Sequence, residues 1–128
     1  MTMTFKHDHI ALSVKDVNAS VKFYQRIFDL KEVKNTASTS KTRWLALTDQ
    51  KQIHLIPRPE LEVKTNKAVH FALATPNFDA FVKHLQSLDI YYSDWRDTTK
   101  KDYVRDDGVK QIYFQDPDGY WIEVNNAE

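Results

Sequence analysis

The chain of 128 residues contains no cysteine. This removes disulfides, thiolate zinc sites, iron–sulfur clusters and cysteine nucleophiles together. Glycine is almost as scarce, with only Gly108 and Gly119. A dinucleotide fingerprint needs three closely spaced glycines, and a Walker loop needs two ahead of a lysine, so both are excluded. Excess charge is also lacking. Eighteen Lys and Arg balance eighteen Asp and Glu, which leaves no broad electrostatic footprint for nucleic acid or an anionic membrane. No apolar run approaches the ~18 residues of a membrane span. The polar stretch from Met1 to His9 does not resemble a secretory signal. The expectation is a cytoplasmic protein with neither nucleic acid nor membrane as a partner. What the chain does have is 41% hydrophobic residues, enough for a core, and five histidines.

The chain repeats itself. His9 to Val14 and His70 to Thr75 align at an offset of 61, pairing His9 with His70, Ala11 with Ala72 and Leu12 with Leu73. The same offset then pairs Ala19 with Ala80, Val21 with Val82, Lys22 with Lys83 and Gln25 with Gln86, without a gap over 17 positions. A duplicated unit accounts for this. In the first copy Ile10, Leu12 and Val14 alternate with polar or small residues, which is the period of a strand. Asp16 stands where a helix N-cap belongs. Val17, Val21, Tyr24, Ile27 and Phe28 follow at helical spacing. In the second copy Phe71 and Leu73 mark a strand. Pro76 and Asn77 start a helix carrying Phe78, Phe81, Val82, Leu85 and Leu88.

Each copy then returns to strand patterning. The first has short segments at 32–33, 43–48 and 52–56. The second has them at 91–93, 110–115 and 120–125, with Asp116-Pro117-Asp118-Gly119 as the last turn. Each unit therefore reads β-α-β-β-β. The fold class predicted is α+β: two tandem βαβββ modules, 5–57 and 67–126, forming a curved mixed-sheet cup within a single domain of residues 1–128. The charged segment 57–67 is a connector, and 95–107 is a polar loop.

Strand parity assigns faces. With Ile10 and Leu12 toward the helix, His9 points away. The same reasoning turns His54 away from Ile53 and Leu55, His70 away from Phe71 and Leu73, and Glu123 away from Ile122 and Val124. Three histidines and one glutamate thus share the non-helix face, at positions equivalent between the repeats. Imidazole and carboxylate suit a divalent ion such as Zn, Ni, Fe, Mn or Co, and no thiolate is available. Taken singly, each of these residues reads as an ordinary hydrogen-bonded strand polar. The argument rests on their joint placement. Trp44, Tyr113 and Trp121 have the parity to share that face and to line a substrate pocket, or else to cover an edge or a dimer interface. His7 and His84 fall at the periphery.

These residues resemble the vicinal oxygen chelate superfamily, the glyoxalase, bleomycin-resistance and extradiol-dioxygenase group. The carriers are His9 to Val14, Phe23-Tyr24, Ile53-His54-Leu55, Val69 to Leu73, and Asp116 to Glu123. The resemblance implies a glyoxalase-like fold whose modules supply metal ligands from their first and last strands. His9, His70 and Glu123 fall on ligand positions. His54 departs from the carboxylate or glutamine usual there, which leaves Glu123 as the catalytic base. The implied function is a metal-dependent lyase or isomerase of glyoxalase I type, acting on a small substrate chelated through adjacent oxygens. The alternatives are an iron-dependent extradiol-type dioxygenase, a fosfomycin-type thiol transferase and a metal-free drug-binding protein. A homodimer is the family-level expectation.

Overall fold

Alternating apolar residues build β1, His9–Val14, with Leu12 and Val14 buried and His9 exposed. The computed structural model describes residues 2–128. The chain divides into two compact units, the first running to Val63 and the second Lys64–Glu128. Asp16 ends the turn after β1 and accepts the Ala19 amide at 3.1 Å, capping helix α1, Val17–Phe28. That bond satisfies one of the amides left free at a helix start and stabilises it by about 1 kcal/mol. Asp29 stops the helix in a left-handed conformation, its amide donating to the Gln25 carbonyl.

Three further strands complete the first unit: β2, Lys31–Val33, β3, Arg43–Ala46, and β4, Gln52–Pro57. The sheet order is β1-β4-β3-β2, with β1 parallel to β4 and the other pairs antiparallel. α1 packs on β3 and β4. Val21, Tyr24, Ile27, Leu45, Ile53 and Leu55 are buried at 3% exposure or less, each side chain contributing about 1.5–3 kcal/mol. The Arg43 guanidinium grips Glu32 through two bonds of 2.8 and 2.6 Å and donates to Asn18. It thereby ties β3 to β2 and α1.

The second unit repeats the plan. It has β5, His70–Ala74, then α2, Phe78–Ser87, then β6, Tyr103–Val104, β7, Lys110–Gln115, and β8, Trp121–Asn125. Its order is β5-β8-β7-β6, again with first and last strands parallel. Phe81 of α2 meets Phe114 of β7 with ring centroids 6.1 Å apart. Asn77 holds the N-cap position without a side-chain bond, and Leu88 lies just past the last helical turn. The architecture is α+β: two four-stranded mixed sheets with two helices, in two tandem modules. Among the described residues no helix is long and apolar enough to cross a membrane.

Three local expectations are corrected. Residues 91–93 form no strand. Ser93 makes only isolated bridges to Thr99 and Tyr113, because the Asp94 carboxylate accepts the Thr98 amide at 2.8 Å and folds the segment into a turn. The strand of that unit lies instead at Tyr103–Val104, inside the segment expected to be a loop. Gly108, at φ 84, allows the tight return that pairs β6 with β7. In the first unit β3 ends at Ala46, short of Thr48. The Leu47 amide bonds the Lys51 carbonyl and closes the turn early.

Candidate functional site

In the first unit three rings stack on one sheet face. His54 of β4 is opposite Trp44 of β3 in the ladder, and the two rings lie parallel with centroids 4.2 Å apart. His9 of β1 stacks on the other face of His54 at 4.0 Å. The polar partners fix the ring protons. His9 Nδ1 meets the Asp8 carboxylate at 2.8 Å, so Nδ1 carries a proton. His54 Nε2 faces the Gln52 amide oxygen at 2.8 Å, which leaves Nδ1 as its lone-pair nitrogen. Burial, followed by repulsion from His9, holds the His54 pKa below its ordinary value, partly offset by Asp8. The neutral ring is the form that binds a metal.

The second unit places different chemistry at the equivalent positions. Glu123 of β8 is 7% exposed and is opposite Tyr113 of β7. The Tyr113 hydroxyl donates to Glu123 Oε1 at 2.8 Å, and the Asn125 amide donates to Oε2 at 2.7 Å. Gln111 in turn donates to the Tyr113 hydroxyl at 3.1 Å. Burial and the neighbouring carboxylate push the Tyr113 phenol well above its ordinary pKa, so it remains a donor at neutral pH. His70 Nδ1 bonds the Lys67 carbonyl at 2.9 Å, and its Nε2 lies 3.3 Å from Glu123 Oε1.

That last distance is a test of fit for a divalent ion. Nitrogen and oxygen ligands each about 2.1 Å from one ion stand about 3.0–3.4 Å apart at octahedral to tetrahedral angles. His70 and Glu123 meet this spacing. The Lys67 carbonyl, Tyr113 and Asn125 supply the outer contacts that orient metal ligands. The ring nitrogens of His9 and His54 are donors of the same chemical class. Each unit thus brings two ligand-type side chains together. Among the described residues no group of three or more His, Asp or Glu is assembled to hold a metal ion.

The remaining sequence candidates have definite places. Trp44 covers one face of His54. Tyr113 is committed to Glu123, and Trp121 lies against the Lys67 ammonium at 5.0 Å. His7 precedes β1 and is exposed, and His84 is exposed on α2. Sequence reasoning missed Asp8, Gln52, Asn125 and Lys67 as partners of the candidate ligands. Asp8, Gln52 and Asn125 lie one or two positions from a ligand-type residue, a signal available in the sequence. The Lys67 carbonyl also lies near in sequence, three positions from His70, but its ammonium gave no signal because those contacts come from distant segments.

The chain has recognisable relatives. Residues 6–124 match the family model described as Glyoxalase/Bleomycin resistance protein/Dioxygenase superfamily. A metallothiol transferase FosB of Lysinibacillus sphaericus is 30% identical over 124 residues, covering 94% of this chain and 81% of that protein. The crystal structure of a glyoxalase/dioxygenase from Nostoc punctiforme is 26% identical with a TM-score of 0.75, covering 96% of this chain and 91% of that one. The fosfomycin resistance protein FosX from Listeria monocytogenes is 25% identical with a TM-score of 0.73, covering 98% and 96%. With the duplicated module and the match across nearly its full length, the chain belongs to the glyoxalase/bleomycin resistance protein/dioxygenase superfamily.

Proposed function

We propose that the protein is a metal-dependent lyase or isomerase of glyoxalase I type, acting on a small substrate through adjacent oxygens. Its candidate ligands are His9 and His54 in the first unit and His70 and Glu123 in the second. The observation that carries this reading is the His70–Glu123 pair, 3.3 Å apart and held by a built outer shell. A divalent ion bound there supplies a Lewis acid for the substrate's oxygens. Glu123 moves one proton between neighbouring carbons, since it is the carboxylate among the four positions. Tyr113 and Asn125 each hold one of its oxygens and so fix its orientation. Trp44, Tyr113 and Trp121 border the substrate. The protein works as a cytoplasmic homodimer, which sedimentation of the native protein checks.

The deciding experiment is elemental analysis of untagged protein, with Ala variants at His9, His70 and Glu123, followed by turnover of a hemithioacetal. Stoichiometric metal in the native protein and its loss in each variant support the reading. Full occupancy in all three variants sinks it. A second reading, thiol transfer to an epoxide of fosfomycin type, is favoured by the similarity to FosB and FosX. Thiol-dependent consumption of the epoxide, with no hemithioacetal turnover, selects it.

A further inference from the structure

Lys67 carries a charge on a side chain that is only 13% exposed. Its ammonium reaches the Asp97 carboxylate at 2.6 Å, the Asp94 carbonyl at 2.7 Å, the Trp95 carbonyl at 3.1 Å and the Ser93 hydroxyl at 3.2 Å. Three N–H donors are shared among four oxygens, so none is left for a substrate anion. The same nitrogen stands 5.0 Å from the ring centre of Trp121, 5.2 Å from Tyr113 and 5.8 Å from Trp95. Attraction between a cation and a ring face adds to the grip, more so when water is excluded.

The oxygens all belong to the segment 93–97, which has no strand or helix of its own. Its chain direction is set by the Asp94 turn and by Asp97 at φ 66. One cation therefore fastens an irregular segment to the aromatic side chains of β7 and β8. The same residue's carbonyl holds His70 Nδ1. Trp95 lies 6.1 Å from the His70 ring and 5.4 Å from Tyr113, which meets His70 edge-on at 5.3 Å. Trp95 and Tyr113, which both border His70, thus each lie within 6 Å of the Lys67 ammonium.

We propose that Lys67 is a positioning residue for the His70–Glu123 pair, latching the 93–97 segment, Trp95 included, to Tyr113 and Trp121 while its carbonyl sets the proton on His70. The positioning role rests on the metal reading above, whereas the latch does not. Lys67→Met keeps most of the unbranched stem and removes the ammonium. Amide exchange followed by mass spectrometry reads the latch without any metal. Exchange across 93–98 is expected to rise about tenfold, since the segment loses its charge-assisted bonds to a cation only 13% exposed, with β8 unchanged. Titration of the metal-free protein with Mn²⁺ reads positioning, and the variant is expected to bind about tenfold more weakly or worse. Asp97→Asn, which tolerates the left-handed backbone, serves if Lys67→Met does not fold, with exchange expected to rise about threefold.

Unchanged exchange at 93–98 overturns the latch. Faster exchange with unchanged Mn²⁺ affinity overturns the positioning role. A native protein that takes up no Mn²⁺ overturns the positioning role together with the metal reading, and the exchange result then decides the latch alone.

Discussion

Tyr113→Phe deletes one oxygen atom from a buried network and leaves the ring in place. The lost hydroxyl donates to Glu123 at 2.8 Å and accepts from Gln111 at 3.1 Å. A hydrogen bond to a charged acceptor contributes about 1.5–3 kcal/mol. The ring volume is kept, so no cavity adds to the loss. The Asn125 amide still serves Oε2, which keeps the cost near about 2 kcal/mol, or a melting-temperature drop of roughly 6–12 °C for a chain of this length. The assay is thermal unfolding by circular dichroism at pH 7 with chelator present. A double-mutant cycle with Glu123→Gln should return a coupling of about 1 kcal/mol or more. Tyr91→Phe is the control: its hydroxyl meets Thr99 at 3.3 Å on a side chain that is 54% exposed, and its loss should move the midpoint by about 1 °C or less. A Tyr113→Phe midpoint within 1 °C of native, or a coupling near zero, refutes the reasoning.

Three further outcomes are expected. Asp16→Ala removes the cap on the Ala19 amide and should cost about 1 kcal/mol in urea unfolding; no change would show that water caps the helix as well. The Arg43 guanidinium holds the Glu32 carboxyl below its ordinary pKa. The stabilisation is therefore present above the ordinary carboxylate value and lost as pH falls through the lowered one. The melting-temperature gap between native and Glu32→Gln should be small at pH 7, because the pair is about one-third exposed, and should close toward pH 3. A gap that widens on acidification contradicts the sign. Gly119 sits at φ 90 with a would-be Cβ 3.4 Å from the Thr65 hydroxyl, so Gly119→Ala should cost about 1–2 kcal/mol in thermal unfolding.

The parts of the fold that sequence patterning reveals are those decided locally. The alternation from His9 to Val14, the cap at Asp16 and the Asp116–Gly119 turn each depend on neighbours in the chain. In that turn the Asp116 carboxylate accepts the amides of both Asp118 and Tyr120. Parity puts His54 on the same face as Trp44, and Glu123 on the same face as Tyr113, and the ladder register then sets each pair opposite one another. The strand at Tyr103–Val104 is not legible, since its two residues are exposed and its pairing depends on β7. Lys67 is hidden for the same kind of reason. Its partners lie 26–30 positions away, and a lysine in a charged connector gives no hint of three rings around it.

The parallel pairing of first and last strands has a consequence for the order of synthesis. β1 and β5 are made early in their units, yet each finds its neighbour only when β4 or β8 has been made. β8 is the central bridge between β5 and β7, so a nascent second unit halted before Trp121 has no sheet joining its two ends. His9 stays a tethered lone imidazole until His54 arrives, and His70 until Glu123 arrives. On the ribosome each pair can therefore form only after the last strand of its unit has been made. The long loop that must close first also makes this step slow compared with formation of α1 or α2. The duplicated topology thus times the appearance of its chemistry to the end of each module's folding.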